Sequence, residues 1–317
     1  MHFAPTEEQL ALRDGVRELL ADRCPPAVVR AAWAADQPAL WADLTGIGVV
    51  GAAVPEKLGG LGLPTTDLVL VLEELGYAAV PLPIGETAAV AAPLLAAIGD
   101  PDGLLPGILE GATRIAIGDP LVPYGSRADL VLALSGDATF ATPSEVRELP
   151  TVDGSRPVAR CRLAGGRAVA DARAVALARH RAALATAAQL VGLGRRMLDL
   201  TVHYVRERRQ FGAPVGSFQA VKHHLADALL RLEFAAPAGL AAAWAIDREA
   251  GTVERDVAVA AVLASEAAQH VAKAAIQCHG AMAYTVEYDL HLFAKRAWAL
   301  SAGLGGQLDR LTEEVFR

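Results

Sequence analysis

The stretch Tyr204-Val-Arg-Glu-Arg-Arg-Gln-Phe-Gly-Ala-Pro-Val-Gly-Ser-Phe-Gln-Ala-Val-Lys-His-His-Leu-Ala-Asp227 reads as the end of one long helix, a tight turn at Gly212-Ala213-Pro214, and the start of another helix. Four charges, Arg206, Glu207, Arg208 and Arg209, precede the break, Phe211 follows at once, and Phe218-Gln219 opens the next helix. Cations, a flat apolar ring and an amide thus meet at one corner. Such a corner suits a phosphate-bearing ligand with flat rings; a solvated, Arg-rich helix end is the plain alternative. Tyr204 sits one turn before Arg208 and is placed to pack beside it. His223 and His224 are consecutive, so they point to different sides of a helix and do not form a metal-binding pair.

Outward from this corner, the apolar stripes on both sides are helical. Spans near 173–209, 216–248, 253–279 and 287–316 carry them, which predicts a C-terminal four-helix bundle over 173–317. The runs Ala235-Ala236 and Ala241-Ala242-Ala243 offer small faces for close packing. The apolar run Leu229–Ile246, interrupted by Arg231, Glu233 and Pro237, reads as a buried helix and not a membrane span. Trp41, Trp244 and Trp298 read as core or interface.

Upstream, 113–172 changes period. Arg114–Gly118, Ala128–Leu134, Ala138–Thr142 and Val158–Leu163 are short β-like runs separated by Gly, Pro and Asp, a small β domain. Residues 1–112 are helical again. Thr6-Glu-Glu-Gln9 opens the first helix as a capping box, a short helix begins at Trp41 and ends at Gly46 and Gly48, and Thr65 or Thr66 caps a helix through Leu75. Further pieces lie near 84–98 and 101–111. The fold class is therefore mainly α with a small β domain: an N-terminal helical domain, a reduced middle β domain and a C-terminal bundle.

The chain has 317 residues, 53% of them hydrophobic, enough for a large core. A net charge of -7 argues against nucleic acid as the main partner. Cys24, Cys161 and Cys278 are odd in number and far apart, so neither a disulfide framework nor a CxxC metal site is indicated, and a reducing cytoplasm fits. The start, Met-His-Phe-Ala-Pro-Thr-Glu-Glu-Gln, lacks the basic and apolar regions of a signal peptide.

Three stretches resemble the acyl-CoA dehydrogenase family. Val54-Pro-Glu-Lys-Leu-Gly-Gly-Leu-Gly-Leu63 is similar to its "VPEExGGxG" loop. Arg208-Arg-Gln-Phe-Gly212 with Phe218-Gln219 and Leu225-Ala-Asp227 is similar to "RxQFG…FQ…LAD". Gln277-Cys-His-Gly-Ala-Met-Ala-Tyr284-Thr-Val-Glu287 is similar to "QxxGGxGYxxE". The order helical, β, helical matches too, and the nearest likeness is to the short actinobacterial members.

The resemblance implies FAD, an acyl-CoA thioester substrate, and α,β-desaturation. A carboxylate takes the α-proton while a hydride leaves the β-carbon for the flavin. In this family each FAD is clamped between two subunits. Carried over to this chain, the groups reaching a neighbour's flavin are Arg208 for the pyrophosphate, Phe211 for a flat face, the amides of Gln219 and Gln277, and the Gly280 turn. Ala281 stands where the family has a second Gly.

What the resemblance lacks follows a pattern. The flavin-ring loop "TEPxxGSD" is replaced by Ala116-Ile-Gly-Asp-Pro-Leu-Val-Pro-Tyr-Gly-Ser-Arg-Ala-Asp129, in which Gly125-Ser126 alone resembles it. The β segment is about half the family's length. Gly305 falls where the "YEGT" base is expected. The alternative base position, 26 residues before the "RxxFG" arginine, is Ala182. Groups for the chain's own flavin and substrate are gone, and groups for a neighbour's remain. The resemblance thus implies the short subunit of a heteromeric FAD-dependent acyl-CoA dehydrogenase, an α2β2 heterotetramer with a longer catalytic partner, possible substrates including CoA esters of steroid side chains. Two alternatives stay open: a self-sufficient homomeric enzyme using Glu145, Glu148, Glu287 or Asp309 as base, and a non-redox acyl-CoA-binding or scaffold homologue.

Overall fold

The computed structural model describes residues 4–134, 138–169, 171–307 and 309. Its N-terminal helical domain holds α1 (Glu7–Arg23), α2 (Pro26–Ala31), α3 (Pro38–Gly46), α4 (Thr65–Tyr77), α5 (Ile84–Glu86), a π-helical turn at Thr87–Ala91 leading into α6 (Ala92–Ala97), and α7 (Leu105–Leu109). The capping box at α1 forms as expected: Thr6 Oγ1 accepts from the Gln9 amide at 3.2 Å, and Gln9 Oε1 accepts from the Thr6 amide at 2.9 Å. The helix α3 starts at Pro38, before Trp41, because proline fits the first helical turn.

Neither Thr65 nor Thr66 caps α4, which corrects the sequence expectation. Asp247, 182 residues downstream of Thr65, does so with both carboxylate oxygens, accepting from the Thr65 N–H at 2.7 Å and the Thr66 N–H at 3.0 Å. A carboxylate beside the positive end of a helix dipole is favourable, and here the same bonds tie the N-terminal domain to the bundle.

The middle domain is a five-stranded sheet in the order β1-β3-β4-β5-β2. Its strands are β1 (Ile115–Ile117), β2 (Leu121–Pro123), β3 (Leu130–Ala133), β4 (Thr139–Leu149) and β5 (Val158–Ala168). β1 runs parallel to β3 and the other pairs are antiparallel. Two differences from the sequence reading have physical causes. β2 is three residues with a proline, too short for a period-2 signal, and it forms only because β5 pairs with it. β4 and β5 extend to eleven residues each, through polar outer halves held by cross-strand pairing.

The C-terminal bundle comprises α8 (Ala172–Glu207), α9 (Gln219–Asp247), α10 (Val253–His279) and α11 (Leu290–Gly303), with a two-stranded hairpin of β6 (Arg209–Gln210) and β7 (Ala213–Pro214) between α8 and α9. Asp171 caps α8, accepting from the Arg173 and Ala174 N–H groups at 3.0 Å. The alanine faces of α9 and α10 are buried. Two glycines let α4 lie against α8 backbone to backbone. A Cβ at Gly192 would come within 1.9 Å of the Glu73 carbonyl oxygen, and one at Gly76 within 2.1 Å of the Gln189 carbonyl oxygen.

The helix α9 departs from expectation. By length and composition it could cross a membrane, and within the protein only 44% of its most apolar window is buried. Leu229, Leu230, Phe234 and Trp244 lie on its open side, so the run is a half-buried amphipathic helix whose outer face is also apolar. Trp41 is buried, while Trp298 is partly open.

One buried ion pair joins all three domains. Arg296 on α11, 2% exposed, donates from Nε to Asp153 in the β4–β5 connection, from one terminal nitrogen to Val80 O (2.9 Å) and from the other to Ser155 Oγ (2.8 Å). Burial alone raises the Asp153 carboxyl, but the Arg296 charge and the Ser155 bonds outweigh it and hold it below its ordinary value. Replacing Asp153 by Ala leaves an uncompensated buried guanidinium. The expected loss is about 3–5 kcal/mol of unfolding free energy, measured by denaturant titration. Arg173→Ala, which breaks the exposed Arg173–Glu249 pair, serves as the control and changes stability by less than about 1 kcal/mol.

Candidate functional site

The corner that opened the sequence reading folds as a hairpin. Gln210 pairs with Ala213, which leaves Phe211 and Gly212 as a two-residue loop. Both have positive φ, +52° and +78°, as a twisted hairpin of this length requires. The turn is therefore centred on Phe211-Gly212, one residue earlier than expected. Glycine accepts such an angle freely; for an aromatic residue it is strained. Phe211 is nevertheless 95% exposed, with only an edge-to-face contact to Phe218, ring centroids 6.2 Å apart. A strained, solvent-facing aromatic is a costly arrangement for stability alone.

Beside this loop lie the cations. Arg208 is the C-cap of α8, its N–H bonded to Tyr204 O at 2.9 Å and its carbonyl accepting from Val215 N–H at 2.8 Å. Among the described residues no carboxylate pairs with Arg206, Arg208 or Arg209, whereas Glu207 is engaged by His203. Gln219 is the first residue of α9, and no side chain caps that helix start. Gln219 and Ala220 are exposed, so the first N–H groups and the positive dipole end of this helix are open to solvent.

The Gln277–Gly280 turn is brought to the same corner by stacked rings. Tyr204, near the end of α8, stacks on His279 at the end of α10 (centroids 4.3 Å, 22°), and its hydroxyl reaches His279 O at 3.4 Å. Tyr288 closes the cluster from below, its hydroxyl 3.1 Å from His279 Nε2. His279 Nδ1 lies 2.8 Å from Ala275 O. A carbonyl only accepts, so Nδ1 carries the proton and Nε2 accepts from Tyr288. Burial lowers the His279 pKa below its ordinary 6.5, the Ala275 bond opposing it in part. Gly280 has φ +60° and open space where a Cβ would be, so what it supplies is a backbone angle. Arg208, Phe211, Gln219, Gln277 and Gly280 are all exposed. No sequence pattern marks the ring cluster, because its three members lie 9 to 84 positions apart; the motif points only to Tyr204, as a neighbour of Arg208.

A cleft lies at the junction of the three domains. It encloses about 270 Å³ and is lined by residues of α5, β2, α8 and α11. Ala182, one of the two expected base positions, lines it, as does Gly303, two residues before the other, Gly305. None of the five corner residues does. Leu121 and Pro123 of β2, from the segment that replaces the family's flavin loop, form one wall. Glu86, Arg156 and Gln189 also line it, and no motif marked them. The alternative bases lie elsewhere. Glu145 is exposed and pairs with Arg162, Glu148 is exposed and accepts from Ser126, and Glu287 and Asp309 are exposed.

Comparison with known proteins adds the following. Residues 6–110 match the profile of the acyl-CoA dehydrogenase N-terminal domain, and residues 158–308 that of the acyl-CoA dehydrogenase C-terminal domain. The chain is 37% identical to acyl-CoA dehydrogenase IpdE2 of Mycobacterium tuberculosis, covering 99% of each. Among solved structures it is similar to a chain of the ChsE4-ChsE5 complex from Mycobacterium tuberculosis, with TM-score 0.89, 26% identity, and 100% and 99% of the two chains covered. It is likewise similar to a chain of the Tcur3481-Tcur3483 steroid ACAD G363A variant, with TM-score 0.87, 26% identity and 98% of each covered.

The His279 assignment has a measurable consequence. Because the folded-state pKa is depressed, the unfolded chain binds the extra proton first as pH falls through 6.5. His279 therefore stabilises the fold above that pH, and the contribution is lost below it. Denaturant titrations between pH 7.5 and 5.5 are expected to show a steeper acid-side decline for the wild type than for His279→Phe, which keeps the ring stack. Equal slopes would show that the ring is not held neutral.

Proposed function

The chain belongs to the acyl-CoA dehydrogenase family, and from that premise we propose that it is the short subunit of a heteromeric, FAD-dependent acyl-CoA dehydrogenase. Its corner would complete the flavin site of a longer, catalytic partner in an α2β2 heterotetramer. The observation that carries this is the contrast between the exposed corner and the three-domain cleft. The outward-facing corner keeps unpaired arginines, an uncapped helix start, a strained exposed Phe211 and the Gly280 turn, while the chain's own cleft has Ala182 at one expected base position and Gly303 two residues from the other.

The corner fits FAD as a shared cofactor. Arg208 and the N–H groups at the start of α9 would hold the pyrophosphate. Phe211 would pack on a flat face, and Gln219, Gln277 and the Gly280 backbone would bond the remaining polar edge. When bound, FAD supplies a hydride acceptor for the β-carbon of the acyl group. This chain's residues bind, orient and exclude water; the α-proton would go to a carboxylate of the partner. The cleft fits a flavin of its own poorly: about 270 Å³, walled by Leu121 and Pro123, is small for a dinucleotide with its ring system.

Exposed apolar side chains support a partner on the same side. Phe211, Phe218, Leu229, Leu230 and Phe234 follow one another from the hairpin along α9, and Met282, Tyr284 and Val286 follow the Gly280 turn. A surface of this kind in a protein held free in water is unfavourable at about 25 cal/mol per Å². The similarity to chains solved as the ChsE4-ChsE5 complex and as a steroid ACAD favours a heteromeric assembly and makes steroid-derived CoA thioesters the first substrates to assay. Three free thiols suit a reducing cytoplasm.

Expression of the chain alone and together with a longer family member from the same genome tests the proposal. The complex is expected to retain flavin and to oxidise acyl-CoA, and the lone chain to do neither. Arg208→Ala in the complex is expected to weaken FAD retention at least about tenfold without dissociating the subunits. One FAD bound per lone chain, with turnover, would overturn the proposal.

A further inference from the structure

The three-domain cleft holds a cation whose side-chain N–H groups find no hydrogen-bond acceptor among the described residues. Arg156 has only 15% of its side chain exposed. Its nearest carboxylate oxygen, on Glu86, is 3.9 Å away, too far for a hydrogen bond. Its Nε is buried with no hydrogen-bond partner among the described residues. The guanidinium lies 5.9 Å from the centroid of the buried Tyr124 ring, which holds it in place without satisfying a donor. Arg296 nearby shows what a structural buried arginine looks like: all three of its nitrogens are bonded. Leaving buried donors unmet costs about 1–3 kcal/mol each, more on a charged group. Nε itself is closed off, but the terminal nitrogens have no acceptor among the described residues either, and through the exposed 15% of the side chain they can meet an acceptor that enters the cleft.

The rest of the cleft says which kind. Its walls are mainly apolar, with Val90, Ile117, Leu121, Ala185 and Leu300 among them. The π-helical turn at Thr87–Ala91 borders it, a feature that recurs at functional sites. Glu86 already answers the charge of Arg156, and a ligand carboxylate would sit against the Glu86 carboxylate in a poorly screened space. A neutral oxygen acceptor meets the free N–H groups without that repulsion. We propose that this cleft binds a compact apolar ketone, its carbonyl oxygen accepting from Arg156 and its carbon skeleton filling the space beside Ala182. With alanine and glycine at the family's base positions the ligand is held there and not turned over. The inference does not depend on the shared-flavin reading, because no corner residue takes part.

Isothermal titration of the full chain with decalone tests it, with decahydronaphthoate as the anionic counterpart of similar size. Saturable binding of decalone, one per chain, is expected, with the anion at least about tenfold weaker. Arg156→Met is expected to weaken decalone at least about tenfold through loss of a charge-assisted hydrogen bond. Ala182→Phe fills the cavity from a solvent-accessible helix face and is expected to abolish binding; it decides the matter should Arg156→Met not fold. No saturable decalone binding by the wild type overturns the proposal. So does binding unchanged in a folded variant, or an anion bound as tightly as the ketone.

Discussion

The buried contact between Arg296 and Asp153 is the constraint from which the arrangement of domains follows. Each ion loses several kcal/mol of hydration on burial. That cost is met only when every donor and acceptor finds a partner, and the partners come from three places: α11, the β4–β5 connection with Ser155, and the turn after α4 through Val80 O. A small shift of any domain would break one of these bonds. The sheet, short as it is, is therefore pinned to the bundle by its β4–β5 connection. The Asp247 cap on α4 and the Gly76–Gly192 approach of α4 to α8 fix the N-terminal domain in the same way.

That rigidity bears on the cleft and on the corner. The cleft is formed by the meeting of the three domains, so the same contacts set its width. Alanine at position 182 leaves that shape intact. The corner is positioned differently. It hangs on the ends of α8, α9 and α10, and the Tyr204–His279–Tyr288 rings are what hold those ends together. Ring packing thus sets the corner, while the buried ion pair sets the cleft.

The sequence made the architecture legible where periodicity or local chemistry is strong. The long helices α8, α9 and α10, the Thr6–Gln9 capping box and the alternating pattern of β5 are readable because each depends on near neighbours, whereas α11 ends at Gly303, short of the expected span 287–316, whose last residues lie largely outside the described ones. It failed where a distant residue decides. Asp247 caps α4 from the far side of the chain, β2 exists through its pairing with β5, and Arg156 and Glu86 meet across about seventy positions. The open face of α9 was misjudged because hydrophobicity along a helix does not distinguish contact with the protein's own core from contact with something else. The corner residues could be named from their motif, but that Phe211 is strained and bare follows only from the two-residue hairpin.

Phe211 also bears on how the two subunits of the proposed assembly would share their work. Positive φ at an aromatic residue costs on the order of 1–3 kcal/mol, and an exposed ring gains nothing from burial in the free chain. The hairpin offsets part of this through the Val215–Arg208 bond and the Phe218 edge contact. Burial of the ring against a partner would offset the remainder. A residue set before its partner arrives spends less conformational entropy on docking. On the proposed reading the chain would contribute to a neighbour's site through the set geometry of its corner, a contribution that requires no carboxylate at Ala182 or Gly305.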